Sequence, residues 1–206
     1  MDFHEMQAIC GLRTTQEVVD DLQAIPDCAG VYMIFGDTTE LVDWAEFEDI
    51  EGRPPFRVGG TDLLYIGSSM NLRTRIGCHV KDDSTVSTFR MSIGCLLIDN
   101  LDLEVFNHPT RATFHFGQGE ARLTRWMCLN TAIAIWPCTH AGELEKALIK
   151  GLPAPLNIAE RRDRPYAQML QGLRDNANDR VGRQARRARG EPFPDPRTRH
   201  PLYTNS

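Results

Sequence analysis

Two short apolar runs, Gly30-Val-Tyr-Met-Ile-Phe35 and Leu63-Leu-Tyr-Ile-Gly67, constrain this chain more than any other feature. Both are rich in β-branched and aromatic residues and touch glycine, the pattern of a strand. Each places a tyrosine inside the run, at Tyr32 and at Tyr65. A hairpin loop needs 2–5 residues, whereas residues 36–62 lie between these two strands. Something is therefore inserted there: a helix-like piece, Glu40 to Ile50, and then a turn region, GRPPFRVGG. A short helix, Thr15 to Ala24, precedes the first strand and ends at Pro26.

After the second strand Asn71 is a good helix N-cap. Leu72, Ile76 and His79 follow at helical spacing on one face, with Arg75 one turn below His79. Thr88 to Ile98 reads equally as helix or strand, and Ala112 to Phe116 alternates like a strand. Glu120 to Leu129 reads as a helix with Leu123, Trp126 and Met127 inward, and Thr131 to Trp136 as a further strand. Thr139 is the expected N-cap of a helix over 142–151, whose Leu144, Leu148 and Leu152 form an i+4 stripe stopped by Pro153 and Pro155. Tyr166, Met169, Leu170 and Leu173 outline one more amphipathic helix.

Composition excludes several classes. At 206 residues the chain can bury a core without a disulfide or metal staple. No run approaches the roughly 18 apolar residues of a membrane span, and MDFHEMQAICGLRTTQE lacks the basic start and apolar stretch of a signal peptide. The six cysteines form no CxxC pair, and Cys138-Thr-His140 alone is too little for a zinc site. Buried thiols in a reducing cytoplasm are the expectation. Residues 1–60 hold 13 acidic residues against 3 arginines, 61–159 hold 9 of each sign, and 160–206 hold 6 acidic residues against 11 arginines. The arginine-rich stretch VGRQARRARG, with Arg183, Arg186 and Arg187, suits phosphate contact. It reads equally as a solvated terminus.

Six polar residues stand out against this pattern: Tyr32, Tyr65, Arg75, His79, Glu145 and Asn157. Two tyrosines, an arginine, a histidine and one carboxylate suit metal-assisted phosphodiester cleavage. The carboxylate can hold Mg²⁺, a hard ion that takes few protein ligands. The arginine can neutralise charge building on phosphate. A phenol can take the proton from the attacking water. Taken singly, each has a plainer reading: a core tyrosine, a surface arginine, a packing histidine, a solvent-facing glutamate, a turn asparagine.

At these residues the chain resembles the GIY-YIG nuclease superfamily. Gly30-Val31-Tyr32, preceded by IPDCAG, is similar to the first motif of the excision-repair branch, and Tyr65-Ile66-Gly67 is the second motif verbatim. Arg75 and His79 follow Tyr65 by ten and fourteen residues, offsets similar to the family's arginine and its Tyr/His position. LEKALIKGLPAPLN (144–157) resembles the family's closing block and aligns Glu145 with the metal-binding glutamate and Asn157 with the structural asparagine. Average usage makes each identity a roughly one-in-twenty coincidence, and six in order are not chance.

The resemblance implies an α/β (α+β) fold, a small central antiparallel sheet of three or more strands flanked by helices. It implies a Mg²⁺- or Mn²⁺-dependent endonuclease whose expected substrate is double-stranded DNA, cut to leave 5′-phosphate and 3′-hydroxyl ends. Glu145 would hold the metal, Arg75 would stabilise the phosphate, and Tyr65 or Tyr32 would be the general base. A free phenol, with its pKa of about 10, needs neighbouring cations for that task. The expected organisation is a helical lead-in over 1–21, a nuclease domain over 22–158 with an acidic insertion at 36–62, and an arginine-rich tail over 159–206.

Ser68 stands where the excision-repair branch carries lysine, so Ser68, Ser69 or Arg73 supplies that phosphate contact or it is missing. The insertion, with Asp37, Glu40, Asp43, Glu46, Glu48, Asp49, Glu51 and Asp62 against Arg53 and Arg57, repels a phosphate backbone. It is either a solvated decoration, a regulatory lid or a surface for a protein partner or homodimer. The rival reading is a silent nucleic-acid- or protein-binding module on the same fold.

Overall fold

The two tyrosine-bearing runs pair directly despite the insertion: β2 (Gly30–Gly36) lies antiparallel to β4 (Thr61–Ser69) in this computed structural model. The structure describes residues 11–37, 41, 56–58, 60–81, 84–108, 113–159 and 162–189, the last with backbone alone at 180 and 182–189. Within the insertion β3 (Arg57–Val58) turns back onto β4, where Arg57 Nε sits 2.5 Å from Asp62 Oδ1. The helix-like piece expected at Glu40 to Ile50, and Glu40, Asp43, Glu46, Glu48, Asp49, Glu51 and Arg53 with it, lie outside the described residues.

β1 (Arg13–Thr14) and β7 (Thr131–Pro137) complete a five-stranded antiparallel sheet in the order β1-β7-β2-β4-β3. The helices are α1 (Thr15–Asp20), α2 (Leu72–Val80), α3 (Thr88–Leu96), α4 (Gly119–Asn130), α5 (Ala141–Gly151) and α6 (Pro165–Arg189). A small hairpin pairs β5 (Phe106–Asn107) with β6 (Phe114–His115). This is the α+β architecture, an antiparallel sheet flanked by helices, that the resemblance implied. Among the described residues no helix is long and apolar enough to cross a membrane, and the five described cysteines form no disulfide.

Strand alternation divides the core in two. Tyr32, Ile34 and Leu64 face α2, α3, α4 and α6 through Leu72, Ile76, Phe89, Ile93, Leu123 and Leu170. Val31, Met33, Phe35, Leu63 and Ile66 face the other way, onto Ala141 and Ile149 of α5 and its half-buried Leu144 and Leu148. The register steps from Ile34↔Tyr65 to Phe35↔Leu63, so Leu64 is the extra residue of a bulge. That bulge lets Leu64 and Tyr65 both serve the helix-packed face.

Several local readings change in the structure. Thr88 to Leu96 is helical, because Ser87 accepts the Arg90 N–H at 3.1 Å and caps it. Residue 140 rather than Thr139 is the N-cap of α5; His140 makes no side-chain cap bond and Thr139 is exposed. Met169 is 43 % exposed, since α6 turns Tyr166, Leu170, Ala177 and Val181 inward instead. The strand over 112–116 shrinks to Phe114–His115.

Each motif glycine answers a close approach. A Cβ on Gly67 would stand 2.2 Å from the Tyr32 hydroxyl oxygen, and one on Gly30 would stand 2.4 Å from the Trp136 carbonyl. Gly67 lies directly opposite Tyr32 in the ladder, so the ring lies across the bare backbone. Overpacking of this kind costs about 1–3 kcal/mol. Gly67→Ala should lower stability by that amount in urea unfolding, and an unchanged midpoint would show that the ring is not packed there.

Candidate active site

The outer edge of β4 is where the site is assembled. Opposite β2 this strand would leave backbone groups unpaired. The Leu64 carbonyl accepts the Leu156 N–H at 3.0 Å. The buried Asn157 side chain clamps Ile66 from both sides: Oδ1 accepts the Ile66 N–H at 2.8 Å, and Nδ2 donates to the Ile66 carbonyl at 2.7 Å. Glu145, on α5, accepts the Ser68 N–H at 3.1 Å on Oε1 and the Ser68 hydroxyl at 2.6 Å on Oε2. Leu64, Ile66 and Ser68, alternate residues of β4, are thus met in turn by the segment from α5 to Asn157. That contact sets the height of the carboxylate relative to Tyr65-Ile66-Gly67.

On the helix-packed face Tyr65 lies diagonally from Tyr32, ring centroids 6.3 Å apart. His79 lies under both, at 5.2 Å from Tyr32 and 5.9 Å from Tyr65, and Phe89 closes the floor at 5.5 Å from Tyr65. Asn71 starts α2 by accepting the Thr74 N–H at 2.9 Å. From that start Ile76 and His79 point into the core, while Arg75 sits half-buried at its margin.

Electrostatics separates the members of this group. Burial, then the neighbouring Tyr65, pushes the Tyr32 phenol far above its ordinary value, against a smaller opposing pull from Arg75; Glu145 adds to the rise. Burial works against the Arg75 charge, but Tyr32 and Tyr65 beside it hold the guanidinium above its usual value. Burial, with Arg75 and then Arg90 nearby, pushes the fully buried His79 down to about 3. His79 is therefore a neutral imidazole, with Nε2 2.7 Å from the Tyr32 hydroxyl and Nδ1 2.6 Å from Ser87 Oγ.

The structure brings Tyr32, Tyr65, Arg75 and His79 together, with Glu145 and Asn157 at the adjoining strand edge. Candidates for phosphate contact are placed differently. Ser68 is committed to Glu145. Ser69 Oγ bonds the Asn71 carbonyl. Arg73 donates to the Ile25 carbonyl at 2.9 Å and the Gln23 carbonyl at 3.3 Å, with Asp27 at 3.5 Å. Arg183, Arg186 and Arg187 lie on the backbone of α6, their side chains outside the described ones.

Three further groups lie outside the six polar residues that stand out in the sequence. Ser87 is one. The Arg90–Glu120 pair, 2.7 Å apart with Arg90 fully buried, ties α3 to α4 and to the His79 carbonyl. The third is Arg174 of α6, which donates to the Thr88 carbonyl at 2.9 Å and lines a cleft of about 690 Å³ with Thr88, Arg162 and Gln168. Burial lowers its charged-state preference, while Cys95, Tyr65 and Asp175 lie near enough to oppose that. A sequence signal existed only for Ser87, an N-cap residue ahead of an apolar helix.

The chain matches the GIY-YIG catalytic domain family over residues 30–176. It belongs to the GIY-YIG family. That match runs past Asn157 into α6, whose Tyr166, Ala167 and Leu170 are part of the core. GIY-YIG proteins are nucleases, so nucleic acid is the substrate class. No curated protein and no solved structure matches the chain. Among the described residues no three His, Cys, Asp or Glu side chains gather as a metal cage. The donor set on offer is the single half-buried Glu145 carboxylate. Each of its oxygens takes one bond from Ser68 and keeps lone-pair capacity. A hard ion that keeps most of its waters fits such a donor.

Neutral burial of His79 has a pH signature. The folded imidazole titrates near 3, the unfolded one near 6.5. Between those values the unfolded chain holds the extra proton, so stability is fully present above about pH 6.5 and falls as pH drops towards 3. The slope from this group reaches about 1.4 kcal/mol per pH unit. His79→Gln should remove that part of the slope when urea unfolding at about pH 7.5 is compared with about pH 5; equal slopes would place the imidazole in water.

Proposed function

We propose that this GIY-YIG protein is a divalent-metal-dependent endonuclease that hydrolyses DNA phosphodiester bonds in a reducing cytoplasm. The observation that carries the reading is the convergence of two phenols and a guanidinium next to a strand edge that holds one carboxylate. Glu145 holds Mg²⁺ or Mn²⁺ in this reading, and the ion supplies positive charge beside the phosphate oxygens. Arg75 stabilises charge developing on the phosphate as the bond breaks. Tyr65, half-buried rather than enclosed, takes the proton of the attacking water. Tyr32 is too deeply buried to meet that water. Asn157 and Ser68 keep the carboxylate and Tyr65 at fixed heights on β4.

Glu145→Gln is the informative substitution, because its amide can still bond the Ser68 backbone and hydroxyl while its charge is gone. Cleavage of supercoiled plasmid in Mg²⁺ should fall by at least about 10²-fold, the scale on which one electrostatic contributor counts, with DNA binding unchanged. Retained cleavage would remove Glu145 from the metal site. DNA binding by the wild type with no nicking in Mg²⁺ or Mn²⁺ would favour a silent module instead.

Double-stranded DNA is the substrate we assign, with Arg183, Arg186 and Arg187 contacting its phosphates. Since α6 is buried as far as Val181, the fair truncation ends there and spares the core. It should weaken binding and flatten its salt dependence, by about one unit of slope for each phosphate no longer neutralised. An identical slope would mean that the arm touches no DNA.

A further inference from the structure

Arg174 sits half-buried on α6 with its charge unmatched. Arg57, Arg73 and Arg90 each lie against a carboxylate. Among the described residues no carboxylate comes within ion-pair reach of Arg174. The adjoining Asp175 accepts instead from Gln171 Nε2 at 2.9 Å. Burial opposes the Arg174 charge, and a partly desolvated cation without a partner is costly to the fold. An anion arriving from outside would remove that cost.

The guanidinium is held ready for one. Nη2 anchors it, donating to the Thr88 carbonyl at 2.9 Å and to Ser92 Oγ. Nη1 makes no bond among the described residues. The side chain lines a cleft of about 690 Å³ with Thr88, Arg162, Gln168, Gln171 and Asp175. Thr88 and Arg162 are exposed there. Two arginines against one carboxylate leave the cleft positive.

This cleft adjoins the tyrosine pair. Thr88 precedes Phe89, the floor beneath Tyr65, and Ile158, another lining residue, follows Asn157. Arg75 Nη1 donates to the Val86 carbonyl at 3.0 Å, and Arg174 to the carbonyl of Thr88 two residues on. One short segment at the start of α3 therefore fixes both guanidiniums. Tyr65 lies near enough to each to favour its charge.

We propose that the cleft between α3 and α6 receives the backbone of the substrate strand, and that Arg174, with Arg162 beside it, neutralises a phosphate next to the one that is cut. Arg75 then serves the phosphate at the tyrosines, and Arg174 Nη1 donates to an oxygen of its neighbour, a charge-assisted bond. The position of the cut rests on the nuclease reading; contact between Arg174 and a phosphate does not.

The test uses the full chain, tail arginines included, and a DNA duplex whose cut is first mapped with the wild type in Mg²⁺. Binding is then measured without Mg²⁺ on duplexes carrying one methylphosphonate linkage, which removes a single phosphate charge, at each position around the cut. At one adjoining position the wild type should lose about fivefold or more in affinity and Arg174→Gln less than about twofold. On unmodified duplex the slope of log affinity against log salt should flatten by about 0.9 in Arg174→Gln and stay in Arg174→Lys, which keeps the charge. Arg162→Gln alters an exposed side chain and leaves the tie between α3 and α6 in place, so it carries the same two measurements should Arg174→Gln fail to fold.

Equal sensitivity of the wild type and a folded Arg174→Gln to every linkage overturns the proposal, as does an unchanged salt slope. Lower affinity with the linkage pattern intact also overturns it, because that is the mark of an α6 loosened from α3 and an arm displaced with it. A wild type that binds but cuts nothing ends the nuclease reading, and the linkage scan along the whole duplex still decides whether Arg174 meets a phosphate. A wild type that binds no duplex overturns both.

Discussion

The unpaired edge of β4 is the constraint on which the remaining structure depends. A strand in an antiparallel sheet must satisfy its outer N–H and C=O groups or expose them to another chain. Here a fifth strand covers only the first residues of β4, through Arg57 and Val58. Beyond them the chain returns after α5 and satisfies the edge with one backbone amide and two side chains, from Leu156, Asn157 and Glu145. A side-chain amide reproduces the paired donor and acceptor of a strand residue, which only Asn and Gln can do. The same contact that completes the sheet therefore carries the carboxylate to Ser68. Fold closure and site assembly are one event.

The opposite face solves a different problem, that of holding polar groups in a dry core. Tyr32, His79, Ser87 and Arg90 are all enclosed. Buried polar groups persist when each finds a partner, and the first three do so in series: phenol with imidazole, imidazole with serine, serine with the α3 amide. Arg90 reaches the His79 carbonyl at 3.1 Å, Thr124 at 3.0 Å and Glu120 at 2.7 Å. Its charge is matched by one carboxylate, and it stands beside the imidazole, which helps to keep His79 neutral. Positive charge at the site thus comes from Arg75, half-buried at its margin.

Much of this was legible in the chain because its signals are local. Gly30 and Gly67 are dictated by close approach across two ladders, β2 with β7 and β2 with β4, and the tyrosine strands by their β-branched and aromatic runs. Asn71 reads as a cap because capping is settled within four residues. Thr139 read as a cap for the same reason and failed, since α5 begins at Ala141 with His140 as its uncapped neighbour. Tyr166, Met169, Leu170 and Leu173 outlined a helix that is there, yet the stripe that the core accepts runs through Tyr166, Leu170, Ala177 and Val181 and leaves Met169 exposed. A broad apolar helix face leaves its rotation to tertiary packing.

The partners of the catalytic candidates were illegible for a reason of distance along the chain. Ser68 meets Glu145 across 77 positions, Ile66 meets Asn157 across 91, and Arg90 meets Glu120 across 30. No periodicity encodes such pairs. An arginine followed by apolar residues in FRMSIGCL offers no hint that it is fully enclosed; only the carboxylate and carbonyls that α4 and α2 bring to it make burial tolerable. Ser87 stands between the two regimes. Its local role, starting α3, follows from residue type, but the hydroxyl left over from capping acquires its meaning from His79 on another helix. Its placement against Nδ1 links the start of α3, through His79, to a tyrosine on β2.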